Sequence, residues 1–222
     1  MWGGPDGPEP PLPCNNPFDM LTESGMALLM VTILKMRPRS VAHFGLQCST
    51  WSIMSRGSTL RTFLAPHGDT SKIGVQSGNK MVSRFCLLAI LMSALQISWT
   101  LEQPSNSLMN RHKRFRQLAK SLYVRKVQFW MKKWGSSTPK RTVVYSNDAS
   151  IVRFQTSKLT KEQRKGCRQL VKRSIGKDGK PKFSGNKFLK RSEQYPLGFA
   201  LRYLQIFEEL ATNDEHRRVE HK

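Results

Sequence analysis

The strongest constraint on this 222-residue chain is the order of apolar runs between residues 40 and 104. A strand-like run at 40–46 leads into a stretch carrying Gly57, Pro66, Gly68, Gly74 and Gly78. A nearly continuous apolar run at 79–95 follows, and then a second strand-like run at 97–101, ended by Pro104. Strand, helix and strand in succession favour parallel strands in an open α/β sheet. The chain is long enough for one such domain with extensions, not for two large ones. The expected fold is therefore a reduced, Rossmann-like, doubly wound and mostly parallel sheet with a basic, partly ordered C-terminal extension.

Around that unit the other elements fall into place. Residues 1–17 hold most of a Pro/Gly cluster and are expected to be disordered. A short strand is predicted at 18–21, and Thr22, Glu23 and Ser24 offer cap chemistry for a helix at 25–36. The glycines make 55–78 a predicted loop. A basic amphipathic helix is predicted at 106–120, with Leu108, Phe115 and Leu118 turned inward. Strands follow at 124–130 and 142–145, with a turn at 135–139. The α/β domain is thus expected over 18–156, and 157–222 reads as a basic extension. In that extension 176–185 is predicted to be a loop and 197–210 a helix with Phe199, Tyr203, Ile206 and Phe207 on one face.

Charge is divided unevenly. Residues 1–104 contain 8 basic and 6 acidic residues, a balance of +2, whereas 105–222 contain 29 and 9, a balance of +20. A segment that basic repels itself unless it meets a polyanion, so the expected partner is nucleic acid, with DNA favoured. A solvated basic tail is the bland alternative. Trp130, Trp134, Phe129 and Tyr123 interleave with Arg125, Lys126, Lys132 and Lys133. That pattern suits base stacking with phosphate contact, and equally a half-buried strand with lysines in water.

Cys14, Cys48, Cys86 and Cys167 form no CxxC pair and the histidines no HxxxH spacing, so no metal site is expected. A reduced, intracellular protein fits, with the nucleus favoured by the expected partner. The opening residues lack a basic region followed by an apolar one, so no signal peptide is expected. The run from Phe85 to Trp99 is too short to span a bilayer.

Two turns carry the chemistry. Gln47-Cys48-Ser49-Thr50-Trp51-Ser52 closes the first strand, and Glu102-Gln103-Pro104 closes the second. A thiol and a carboxylate are thereby placed at the carboxyl edge of the expected sheet. The cysteine is a candidate nucleophile, with a small core residue as the alternative. The acid is a candidate partner, with a surface carboxylate as the alternative.

In this order the chain resembles cytosine-C5 DNA methyltransferases, whose signature runs strand, Pro-Cys-Gln-x-Phe-Ser, an Asp-x-Arg loop, helix, strand and Glu-Asn-Val. Gly135-Ser136-Ser137-Thr138-Pro139-Lys140-Arg141 is similar to a loosened form of their Gly-x-Pro-Gln-x-Arg-x-Arg block. The segment from Phe18 to Gly25 resembles the opening cofactor strand. The resemblance spans roughly residues 18–146. It implies Cys48 as the nucleophile toward C6 of cytosine and Glu102 as the group contacting N3 and N4. It further implies S-adenosylmethionine as methyl donor, with Asp19 and Gly25 beside the cofactor. Arg61, Lys140 and Arg141 would contact phosphate or base. Arg56, Lys132 and Lys133 join them as candidate nucleic-acid contacts on charge.

The departures matter too. Phe-x-Gly-x-Gly is missing, Leu46-Gln47 stands where the family has proline before the cysteine, and Gln103-Pro104 replaces Asn-Val. Only one helix and one strand fit between Asp19 and Cys48, where the family has two further strand–helix units. The blocks from Cys48 to Gly57 and from Glu102 to Ser107 also resemble a set of uncharacterised eukaryotic proteins. Three readings stay open at this point: a methyltransferase-like protein, active or vestigial; a non-catalytic nucleic-acid-binding protein; or a fragment of a longer reading frame.

Overall fold

A computed structural model of the protein describes residues 16–167, 170–176, 179, 181–185 and 194–219. Most of the Pro/Gly-rich start expected to be disordered lies outside them.

Helix α1 (Glu23–Lys35) begins where the sequence indicates, the Thr22 side chain accepting from the Gly25 amide. Strand β1 (Val41–Gly45) follows. A short 3-10 turn leads into the single-turn helix α2 (Arg56–Thr59), and then comes the long helix α3 (Ile73–Ala94). Strand β2 (Ser98–Pro104) and helix α4 (Lys113–Ser121) complete the first half. Strands β3 (Arg125–Trp130) and β4 (Arg141–Ser146) precede the one-turn helix α5 (Lys161–Lys165). The hairpin β5 (Val171–Ile175) with β6 (Pro181–Gly185) and helix α6 (Leu197–Val219) close the chain.

The main sheet has the order β1-β2-β4-β3. β1 and β2 are parallel, with Gly45 opposite Glu102, as expected for strands joined through a crossover helix. β4 runs antiparallel to both β2 and β3. The sheet is therefore mixed, which corrects the expectation of a mostly parallel one. β3 and β4 are linked only by residues 131–140, and no crossover helix fits in that length, so they must return as a hairpin.

β2 is buried along nearly its whole length and separates two apolar layers. On one face Trp99 and Leu101, with Val143 and Tyr145 of β4, pack under α1, α3 and α4. On the other face Val144, Val127 and Phe129 pack against Ile151, Phe154, and Phe199 and Ile206 of α6. The result is an α/β arrangement with helices on both faces. Leu108, Phe115 and Leu118 are buried as the sequence suggests.

Several local expectations change. β2 runs on through Glu102 to Pro104, and the helix predicted over 106–120 begins only at Lys113, after a 3-10 turn at Met109–Arg111. Residues 18–21 form turns instead of a strand. α3 starts six residues earlier than the glycines suggested, because Gly78 is a contact position within the helix. A Cβ there would meet Thr50 Oγ1 at 2.7 Å and Arg61 Nη2 at 3.1 Å. The predicted loop at 176–185 is in its described part the second strand of the β5–β6 hairpin and the residues before it. Finally, α6 is no appendage, since Phe199 is only 2% exposed and Ile206 is fully buried against the sheet.

Phe199→Ala should destabilise the whole domain by about 3–5 kcal/mol, the usual range for emptying a large aromatic site. Urea unfolding followed by tryptophan fluorescence should show one shifted transition. An unchanged midpoint would mean that α6 does not belong to the cooperative unit.

Candidate active site at the carboxyl edge of the sheet

The register places the candidate residues together. Gly45 at the end of β1 sits beside Glu102, Pro104 lies opposite Thr142, and Trp130 lies opposite Arg141. The ends of β1, β2 and β3 and the start of β4 thus form one edge. Along it stand the Cys48 turn, Glu102, the Lys132–Lys133 turn, Lys140 and Arg141. In open α/β sheets this carboxyl edge is where ligands gather.

Cys48 lies three residues past β1, in a turn closed by its own carbonyl, which accepts from the Trp51 amide at 3.0 Å and the Ser52 amide at 3.1 Å. Its thiol is half-buried. Gln103, fully buried, anchors this turn: its Nε2 donates to Leu46 O at 2.8 Å, while its Oε1 accepts from Ser107 Oγ at 2.9 Å. Gln103 therefore fixes the entry to the cysteine turn.

Glu102 points from β2 toward the α6 side. Its side chain is 8% exposed and Lys140 Nζ stands 3.2 Å from Oε1. That approach is an ion contact off the hydrogen-bond direction, so Oε1 is a buried acceptor without a hydrogen bond. The other oxygen, Oε2, accepts from the Tyr195 hydroxyl at 3.4 Å. Tyr195 reaches over the end of β1 so closely that a Cβ on Gly45 would meet its hydroxyl at 2.9 Å. Burial raises the Tyr195 pKa most, and negative charge on Glu102 and on Cys48 raises it further. Tyr195 thus bonds Glu102 and covers the end of β1, from which the cysteine turn departs, and it is neutral.

A hydrogen-bonded chain continues beneath it. The Tyr195 hydroxyl pairs with His43 Nε2 at 3.1 Å, His43 Nδ1 with Thr100 Oγ1 at 2.8 Å, and Thr100 Oγ1 with the Tyr203 hydroxyl at 2.8 Å. Burial among Tyr195, Phe199 and Tyr203 pushes the His43 pKa down to about 4. Part of the residue still meets solvent, which softens that penalty, but the direction makes it a neutral imidazole. Sequence reading missed His43, Thr100, Gln103, Tyr195 and Tyr203. The one available signal was His43 on the same strand face as Gly45, two residues from the edge.

The remaining candidates divide. Arg56, at the start of α2, and Arg141 are exposed, and Lys132 and Lys133 are half-buried on the turn after β3. Lys140 is engaged by Glu102. Arg61 corrects its expectation as a phosphate contact, because it is 0% exposed. Its Nη1 donates to Pro66 O at 2.5 Å and Asn79 Oδ1 at 2.9 Å, Nη2 donates to Val75 O at 3.2 Å, and the guanidinium lies 3.4 Å from the Trp51 ring centre. Burial lowers its pKa to about 10, which leaves it charged at neutral pH. Arg61 therefore locks the loop after Cys48 onto α3.

Asp19 and Gly25 do not fit a cofactor. A Cβ on Gly25 would meet Asp19 O at 2.1 Å, so the space beside this glycine is filled by the chain's own backbone. Asp19 turns inward to cap that same bend, Oδ1 accepting from the Leu21 amide at 2.9 Å. Cys86 is buried in α3 and its pKa is pushed up to about 12, so it is inert. No helix among the described residues is long and apolar enough to cross a membrane.

His112, 2% exposed, packs edge-on against Trp51 and His67 behind the locked loop. Burial first, and then charge on His67, Arg61 and Arg114, hold its pKa near 4 instead of the ordinary 6.5. The unfolded chain therefore binds the proton first as pH falls. Stability from the neutral ring is complete above about 6.5 and lost as pH drops to about 4. Thermal or urea unfolding should show a loss of about 2 kcal/mol from this residue between pH 7 and pH 5. His112→Gln should flatten that slope, and an undiminished slope would remove His112 as its source.

Comparison with family models, with curated proteins and with solved structures finds no match to this chain.

Proposed function

We propose that the protein is a nucleic-acid-binding relative of the cytosine-C5 methyltransferases, with a reduced Rossmann-like fold, that captures a pyrimidine base at Cys48 and Glu102. The observation that carries this reading is the register that sets Gly45, three residues before Cys48, beside Glu102, at an edge also bearing Lys132, Lys133 and Arg141. The buried and unbonded Glu102 Oε1 adds support, since a base amino group could donate to it. The parallel β1–β2 pair, with the cysteine turn after one strand and the acid within the other, beside the end of the first, agrees with the order of the family signature.

The chemistry open to this chain is reversible. A Cys48 thiolate adding to C6 forms an S–C6 bond and moves the C5–C6 π pair toward N3, where a protonated Glu102 donates its proton while its other oxygen accepts from the N4 amino group. C5 then takes a proton from water, leaving hydroxide. Loss of the original C5 proton to that hydroxide, return of the N3 proton to Glu102 and expulsion of the thiolate restore cytosine with its C5 hydrogen exchanged. The base must leave the stack to reach the site, so single-stranded or mismatched positions are preferred. It must also displace the Tyr195 hydroxyl from Glu102. Because Asp19 and Gly25 close on each other, no methyl-transfer step is assigned to this chain. The second reading, binding without chemistry, is favoured by that same closure.

Release of tritium from C5-labelled cytosine in an oligonucleotide separates the two. Exchange should proceed without S-adenosylmethionine and fall to background in Cys48→Ser. Tyr195→Phe should raise it by about fivefold, the value of one lost competing hydrogen bond. Equal rates with and without the thiol would leave only the binding reading.

A further inference from the structure

At the far side of the sheet, strand β3 is an edge strand, and a groove of about 470 Å³ runs between it and residues 155–158. Lys126, Gln128, Trp130, Arg141, Thr156 and Lys158 line it, and among the described residues no carboxylate does. Trp130 is half-buried, yet it belongs to neither apolar cluster of the domain. Two cations stand over its ring, Arg141 at 5.7 Å and Arg164 at 5.5 Å from the centre. In the closed loop lock the equivalent distance between Arg61 and Trp51 is 3.4 Å. The guanidiniums at Trp130 are therefore held off the ring, on exposed side chains. Arg141 is steadied by a 2.7 Å bond from its Nη2 to Gln128 Oε1.

A half-exposed indole outside the core, flanked by cations and with no acid among the described groove residues, has the chemistry of a base-stacking platform with phosphate contacts. We propose that this groove binds single-stranded nucleic acid, one base stacking on Trp130 while flanking phosphates meet Lys126, Arg141 and Lys158. Strand β3 and the start of β4 link the groove to the edge carrying Cys48. A strand held here would pass toward that site. The proposal deepens the nucleic-acid reading above and is distinct from the Cys48 chemistry.

Duplexes expose phosphates but not base faces, so the groove should favour single strands. Fluorescence anisotropy of the full-length protein with labelled single-stranded DNA, single-stranded RNA and duplex DNA tests this. Trp130→Ala should weaken single-strand affinity by about tenfold and duplex affinity little, with Trp130→Phe restoring most of the loss. The Lys126→Ala/Lys158→Ala pair should lower the salt slope by about 1.4, from roughly 0.7 for each lost phosphate contact to a single strand. The DNA and RNA arms show which strand is taken. Equal losses on single strands and duplex, or an unchanged salt slope in the lysine pair, would overturn the groove while leaving the Cys48 proposal standing. Absence of binding to any of the three would overturn both.

Discussion

The burial of β2 on both faces is the constraint from which the rest follows. Trp99 and Leu101 turn to one layer and Thr100 and Glu102 to the other, so the alternation of one strand sends a carboxylate into the interior. A buried carboxylate needs partners. Lys140 provides charge, Tyr195 provides a hydroxyl, and both come from segments distant in the chain. The strand that organises the core thereby also creates the candidate site. α6 serves both, its Phe199 filling the apolar layer and Tyr203 ending the hydrogen-bonded chain through Thr100 and His43.

A second buried charge holds the cysteine turn in place. Arg61 is not held by a carboxylate among the described residues. Two backbone carbonyls, one amide oxygen and the Trp51 face surround it instead. The arrangement costs desolvation and is sustained because each contact also ties the loop to α3. Gln103 does the same from the opposite side through Leu46 O. The thiol is therefore presented on a turn fixed at both ends, which suits precise placement more than flexible capture.

Much of this could be read in the chain beforehand. Thr22 before a continuous apolar run announced α1, and the spacing of Phe115 and Leu118 announced the inward face of α4. The placement of Cys48 just past a strand followed from where the first apolar run stops, whereas β2 runs on through Glu102 to Pro104. Arg61 was misread because an arginine in a glycine-rich loop gives no sign of burial, and Gly78 because a contact glycine looks like a loop glycine. Tyr195 and His43 could not be assigned together, since 152 residues separate them and nothing local couples their positions.

By itself the sequence determined an α/β chain with a crossover between two neighbouring strands, an uneven charge and a polar cysteine turn past the first of those strands. These depend on local periodicity and on residue chemistry, which are written residue by residue. Only the tertiary structure decided that β4 inserts antiparallel between β2 and β3, that α6 closes the second face, and that Tyr195 and Lys140 meet Glu102. Those outcomes depend on which surfaces pack against which, and packing is set by long-range burial that no short stretch of sequence specifies.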